Sequence, residues 1–213
     1  MWTRFLPVYQ SVRSWLLNGS IGEPRLLRAS FGYRSAWDPA GRVLNPNLAG
    51  GALLDVGVYP LALALWFFGR PPAEIRAVGH VGKTGVDEQT GLLLRFDRGE
   101  LAMLDCAVRT ATRHDAELFG TKGSLHIEDF YRATTAHLKS SGRTETKVHH
   151  FRANGFEYQA EEVARCVRAG RCESPEMSHK RSTEIMTLMD EARRQLGLRY
   201  PIEKMPGIDT QDR

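Results

Sequence analysis

Apolar positions along the chain follow two periods. Val8, Val12, Trp15 and Leu16 recur at helical spacing, with Pro7 suited to a first turn and Asn18-Gly19 to an end, so 8–17 reads as a short helix. Residues 25–33 alternate instead: Leu27, Ala29, Phe31 and Tyr33 fall on one face and Arg28 and Ser30 on the other, which predicts a half-buried strand. The stretch 34–48, rich in Pro, Asn, Gly and Arg, predicts a long loop of the kind that is often functional in compact domains. It leads into AGGALLDVGVYPLALALWFFG, residues 49–69, where Gly50-Gly51 precede a continuous apolar run and Gly69 and Pro71-Pro72 follow it. That framing predicts a core helix, the stretch around which the chain is organised.

After Pro72 the period becomes two. Strands are expected at 75–81, 88–96 and 100–108, the last pair flanking the hairpin signal Asp97-Arg98-Gly99. Further pairs are expected at 115–119 with 125–128, around the Gly120–Gly123 turn, and at 133–138 with 144–150, around Ser140-Ser141-Gly142. Two helices follow, at 155–169 and 178–196, the second with Ser178 as cap and Gly197 as stop. Helices at both ends of a block of strands describe an α+β fold, a single largely antiparallel open-faced sheet with helices packed on one face. The expected domain is 1–200, with a polar tail at 201–213. The second face of the sheet is mixed in character, suited either to water or to a second sheet.

Composition narrows the function. A chain of 213 residues suits one domain, and 42% apolar with 25% charged residues is ordinary for a globular protein. The net charge of +4 is mild and spread out, without a basic arm, so nucleic acid is not an expected partner. The apolar run is interrupted by Asp55 and Pro60, so no membrane span is expected, and the first residues do not have the form of a secretory signal. Cys106, Cys166 and Cys172 make an odd number without metal spacing, which implies a reduced, cytoplasmic protein. The histidines are scattered, His149-His150 is not at helical metal spacing, and no metal site is expected. No G-x-S-x-G nucleophile elbow is present.

Asp55 and Tyr59 stand four residues apart in otherwise apolar surroundings, which on a helix places both side chains on one face. They read either as an acid/base pair or as the polar edge of a core helix. The string Gly50-Gly51-Ala-Leu-Leu-Asp55-Val-Gly57-Val-Tyr59-Pro resembles the signature helix of the glucose–fructose oxidoreductase / inositol dehydrogenase family of NAD(P)-dependent enzymes. Met1-Trp-Thr-Arg4-Phe-Leu-Pro7, Phe119-Gly120-Thr121-Lys122-Gly123-Ser124-Leu125, Glu157-Tyr158, Cys166-Val-Arg-Ala-Gly170 and Ser174-Pro175 resemble further segments of that family's second domain. The similarity extends over nearly the whole chain and is closest to the dihydrodiol dehydrogenase-like and NADP-dependent aldose dehydrogenase branch.

The resemblance implies NADP or NAD as coenzyme, a sugar or vicinal diol as substrate, and homo-oligomers formed through the open sheet face. It implies Tyr59 as acid/base and Asp55 as the carboxylate that orients substrate, with Trp2 and Arg4 at the domain entrance as substrate-side residues. Arg34, Trp37 and Arg42 read as solvated loop residues within reach of such a site. The family's dinucleotide-binding domain carries G-x-G-x-x-G between a strand and a helix. Here Gly82-Lys-Thr-Gly85 and Gly120-Thr-Lys-Gly123 read as strand-linked turns, and the family's Glu-Lys-Pro lysine is missing. Without that lysine a tyrosine, pKa about 10, stays protonated near neutrality and acts as a donor more readily than as a base. The expectation is a substrate-side domain lacking its dinucleotide-binding partner and inactive by itself. The alternative is a non-catalytic binding or dimerisation module.

Overall fold

The computed structural model describes residues 1–204. Helix α1 (Val8–Leu17) precedes strand β1 (Pro24–Gly32), and α2 (Val58–Phe68) leads to β2 (Glu74–Val81), β3 (Asp87–Arg95) and β4 (Leu101–Ala107). Strands β5 (Ala116–Gly120), β6 (Gly123–Ile127), β7 (Thr135–Ser140) and β8 (Arg143–Val148) come next, then α3 (Glu157–Arg168) and α4 (His179–Leu196).

All eight strands join one sheet in the order β2-β3-β4-β1-β5-β6-β7-β8. Hairpins account for the antiparallel neighbours on both flanks, as the turn signals require. Strand β1 sits between β4, which it pairs in parallel, and β5, which it pairs antiparallel. The sheet is therefore mixed at its centre and antiparallel elsewhere, in line with the expected open-faced α+β fold.

Alternation along each strand separates the faces. Leu27, Ala29, Phe31, Leu94, Leu104, Leu118, Leu125 and Ile127 point into one core shared with the helices. The opposite face presents Arg28, Leu93, Met103 and His126 to the outside. Helix α4 covers edge strand β2: the Gln195 side chain accepts from the Ala77 N–H (2.8 Å) and donates to the Ile75 carbonyl (2.9 Å). These bonds occupy backbone groups that an edge strand leaves unpaired.

The stretch 49–69 is not one regular helix. A 3-10 turn at Pro46–Leu48 precedes a π turn at Leu53–Gly57, and only then does α2 begin. Pro60 gives the physical reason: it has no N–H for the carbonyl one turn back and its ring crowds that carbonyl. A widened turn is where a helix absorbs such a loss. The segment Pro46–Phe68 is long and apolar enough to cross a membrane, with mean hydropathy 1.7, yet 67% of its most apolar window is buried inside this fold. It serves here as the core element against β1.

The first residues of the expected polar tail are fastened rather than loose. Pro201–Lys204 form a 3-10 turn, and Glu203 accepts from Arg193 (2.7 Å) and from the Tyr200 N–H (2.8 Å). The buried Tyr200 donates its hydroxyl to the Gly50 carbonyl at 2.6 Å. Residues 205–213 lie outside the described residues.

Candidate functional site

The site begins with the glycine pair. A Cβ on Gly50 would stand 2.6 Å from the Val43 carbonyl oxygen, and one on Gly51 would stand 2.2 Å from Asp87 Oδ1. Gly51 also has φ of 114°, a backbone state that side chains disfavour. These two residues let the 42–43 backbone and a buried carboxylate press against the start of the helical segment. Asp87 is fully buried, and its Oδ2 accepts from the Leu53 N–H (2.7 Å) and the Thr90 hydroxyl (2.8 Å). Burial pushes its carboxyl pKa upward, while the bonds from Thr90 and Leu53 oppose the shift. It anchors the π turn.

Because that loop is pressed in place, Arg42 reaches Asp55. Asp55 Oδ1 meets the Arg42 guanidinium at 2.7 Å, and Oδ2 accepts the Tyr33 hydroxyl at 2.5 Å. The carboxylate is only 14% exposed, whereas Arg42 is 62% exposed. Burial, and then the Asp55 hydrogen bond and charge, push the Tyr33 phenol well above the usual tyrosine range, against an opposing pull from Arg42. Tyr33 therefore stays a proton donor to Asp55.

Asp55 and Tyr59 do not pair. Both oxygens of Asp55 are engaged elsewhere, and among the described residues the Tyr59 hydroxyl makes no hydrogen bond. The π turn lies between them, so four residues no longer amount to a regular α turn. Tyr59, half-buried on α2, sets its ring edge-on to Phe31 (5.2 Å between centroids) and to Tyr131 (6.1 Å). Phe31 stacks on Tyr131 at 4.2 Å, and His114 lies 4.9 Å from Phe31 with Nε2 at 2.8 Å from the Gly32 carbonyl. The result is an aromatic wall beside one unengaged phenol.

The two entrance residues separate. Arg4 lines a niche of about 10 Å³ with Tyr59, Tyr9 and Trp66. Its Nε is buried without a partner, and burial together with the charges of Arg181 and Arg13 lowers its pKa to about 10. Trp2 instead packs on Phe156 at 4.5 Å and against Gly155, at the start of α3. Arg34 and Trp37 are not among the groups touching Asp55; Trp37 lies under the Arg109 guanidinium. Tyr33, Tyr131, His114 and Asp87 complete the neighbourhood and were missed as site residues. Tyr33, on the same strand face as Phe31, was the legible one.

The niche beside Tyr59 has room for one water-sized group at most. A hollow of about 750 Å³ forms a trough on the opposite face of the sheet, lined by Arg28, Ser30, Val78 and Met103. Because Tyr59 packs on Phe31, which points away from that trough, the trough and the candidate chemistry are separate. A dinucleotide does not fit the described residues: the one parallel pair, β1 and β4, is not followed by a glycine-rich turn into a helix.

Comparison with known proteins bears on this geometry. The profile of the GFO/IDH/MocA C-terminal domain matches residues 9–126. Among curated proteins, trans-1,2-dihydrobenzene-1,2-diol dehydrogenase of Danio rerio is 36% identical over 208 residues, covering 94% of this chain and 62% of that protein. The Homo sapiens enzyme of the same name is 29% identical, covering 96% and 63%. Among solved structures, aldose-aldose oxidoreductase from Caulobacter crescentus, complexed with glycerol, superposes with a TM-score of 0.78 at 22% identity, over 92% of this chain and 61% of that one. KijD10, a 3-ketoreductase from Actinomadura kijaniata in complex with NADP and TDP-benzene, gives 0.75 at 27% identity, over 91% and 60%. The chain thus spans about three-fifths of the length of these relatives. It belongs to the GFO/IDH/MocA family and has the fold of that family's C-terminal domain.

Proposed function

We propose, from the chain's place in the GFO/IDH/MocA family, that it is the substrate-side domain of a nicotinamide-dependent oxidoreductase acting on a sugar or vicinal diol. The observation that carries this reading is a fixed carboxylate and an unengaged phenol on one helical segment: Asp55 is held by Tyr33 and Arg42, and Tyr59 presents a hydroxyl that makes no hydrogen bond among the described residues, beside an aromatic wall. Such a wall suits the C–H face of a carbon ring, and a fixed carboxylate suits a hydroxyl donor. The names of the matched relatives, a dihydrodiol dehydrogenase and an NADP-bound 3-ketoreductase, support the substrate class and coenzyme.

In this reading Asp55 accepts a substrate hydroxyl with its remaining lone pairs and fixes the ring's orientation. Tyr59 gives a proton to the carbonyl oxygen in reduction and receives it in oxidation. Arg4, beside Tyr59, supplies a donor and a positive charge to the same niche. NADP or NAD, which would supply or take the hydride, would be held by a dinucleotide-binding domain of the family and not by the described residues. Trp2 contributes through packing that fixes the entrance segment. The open sheet face, with Val78, Leu93 and Met103 exposed, is covered by a second copy of the chain. The free cysteines fit a cytoplasmic setting.

The test joins the chain to a dinucleotide-binding domain of the family and follows coenzyme absorbance with a panel of diols and aldoses. The chain alone is expected to show no turnover, and the joined protein to show activity that Tyr59→Phe lowers by about 10²–10⁴-fold. Equal activity in Tyr59→Phe removes the phenol from its role. Turnover by the chain alone refutes the need for a partner domain. No activity in any joined form favours the second reading, a binding or dimerisation module.

A further inference from the structure

The β6–β7 hairpin sets His126 directly opposite His137 on the open face of the sheet. Glu128, in the turn just after β6, reaches the same side, its Oε1 at 2.8 Å from His137 Nε2. The two imidazole rings lie nearly parallel, 19° apart with centroids at 5.6 Å. One ligating atom from each of His126, Glu128 and His137 lies within 4.8 Å of the other two.

We propose that His126, Glu128 and His137 form a binding site for a divalent transition-metal ion of the zinc class, spanning strands β6 and β7. Two imidazoles and a carboxylate are a donor set suited to such an ion, with water as the fourth ligand. His137 Nδ1 lies 2.9 Å from the Thr146 hydroxyl oxygen, and its Nε2 lies 2.8 Å from Glu128 Oε1. Without an ion the Glu128 carboxylate, an acceptor, takes the Nε2–H of His137; an ion replaces that proton, Nδ1–H then donates to the Thr146 hydroxyl, and Nε2 and Glu128 share the cation.

His126 also faces a carboxylate. Its Nε2 lies 3.1 Å from Asp115 Oδ2. Donation of that proton to Asp115 leaves Nδ1 as the metal donor with a carboxylate behind the ring, an arrangement common behind zinc-bound histidines. Zinc bonds of about 2.0–2.1 Å put neighbouring ligand atoms about 3.4 Å apart, so the Glu128–His137 pair opens slightly while the more distant ligand atoms draw in by roughly 1 Å. The Glu128 side chain, 52% exposed, has the freedom to do so. Two nearby carboxylates, Glu128 and Asp115, compensate the ion's charge. This site is on the face away from Tyr59 and stands independently of the oxidoreductase reading.

The test uses the untagged chain, titrated calorimetrically with Zn²⁺ and spectroscopically with Co²⁺. The expected result is one ion per chain, d–d absorption of a four-coordinate Co²⁺ complex, and a melting temperature raised by Zn²⁺. His126→Ala and His137→Ala should each weaken binding by at least 100-fold, and Thr146→Val, which removes only the outer partner, by about 10-fold. His137→Gln keeps the side-chain bulk if the alanine variant folds poorly, and should lose the ion equally. His80→Ala, on β2 at the far edge of the sheet, should leave binding unchanged. Absence of saturable binding, or equal affinity in the His126→Ala/His137→Ala double variant, overturns the proposal.

Discussion

Removing the Tyr33 hydroxyl tests the geometry around Asp55 most directly. Tyr33 donates to a carboxylate that is 14% exposed, at 2.5 Å, whereas the other partner, Arg42, is 62% exposed. A hydrogen bond to a charged group contributes about 1.5–3 kcal/mol, and the half-buried position of Tyr33 argues for the lower half of that range. The Arg42 pair is screened by water and contributes about 0.2–1 kcal/mol. Tyr33→Phe should therefore destabilise the domain by about 1.5–2 kcal/mol, more than Arg42→Ala does. For a chain of this size that corresponds to a fall in melting temperature of about 3–8 °C. Urea unfolding followed by tryptophan fluorescence gives both numbers, and a cycle with Asp55→Asn gives the coupling. There is also a pH signature. Because the folded phenol ionises above its unfolded value, the stability it contributes is complete below pH about 10 and is lost as pH rises beyond it. Tyr33→Phe should lack that part of the alkaline loss. A coupling under about 0.3 kcal/mol, or a larger cost for Arg42→Ala, would refute the assignment of Tyr33 as the principal partner of Asp55.

Two further outcomes follow from the start of the helical segment. Gly51→Ala places a Cβ 2.2 Å from Asp87 Oδ1 at a positive φ, and should cost about 2–5 kcal/mol from strain and overpacking together, read as a lowered urea midpoint. A midpoint within error of wild type would show that the approach of Asp87 does not depend on that glycine. Asp87 has its folded pKa raised, so the ionised form disfavours the folded state and its stabilising share declines as pH rises from about 4. Asp87→Asn should thus gain stability relative to wild type on going from pH 4 to pH 7; a difference that stays flat with pH would mean that burial does not perturb the carboxyl.

The local elements were legible because each strand pairs mainly with its neighbour through a short turn. Asp97-Arg98-Gly99 and the Gly120–Gly123 turn specify hairpins by themselves, and Ser178 and Gly197 bound α4 as the capping pattern requires. The parallel β1–β4 pair was not legible, since a period-two pattern says which face a residue occupies and nothing about which distant strand lies beside it. The same limit hid the site. Asp87 reads as a strand-edge acid, and only the tertiary approach of Gly51 shows that it anchors the π turn. Tyr33 and Arg42 converge on Asp55 through that loop, not through spacing. Gly50-Gly51 was correctly read as a helix signal, but its reason is contact with Val43 and Asp87. His126 and His137 looked scattered because their meeting depends on the hairpin register across an irregular connection.

The position of β1 has a kinetic consequence. Leu26 pairs with Leu101 on one side and with Phe119 on the other, partners that arrive more than 70 residues later in the chain. During synthesis β1 therefore waits, unpaired on both edges, while the hairpin of β2, β3 and β4 forms by itself. Closing so long a loop is entropically costly and slows formation of the sheet centre. The segment that carries Asp55 and Tyr59 lies within that loop and packs on β1, so it gains its final shape only when the closure occurs. Folding of this domain and assembly of its site are one event, and an N-terminal fragment ending before β4 should have neither.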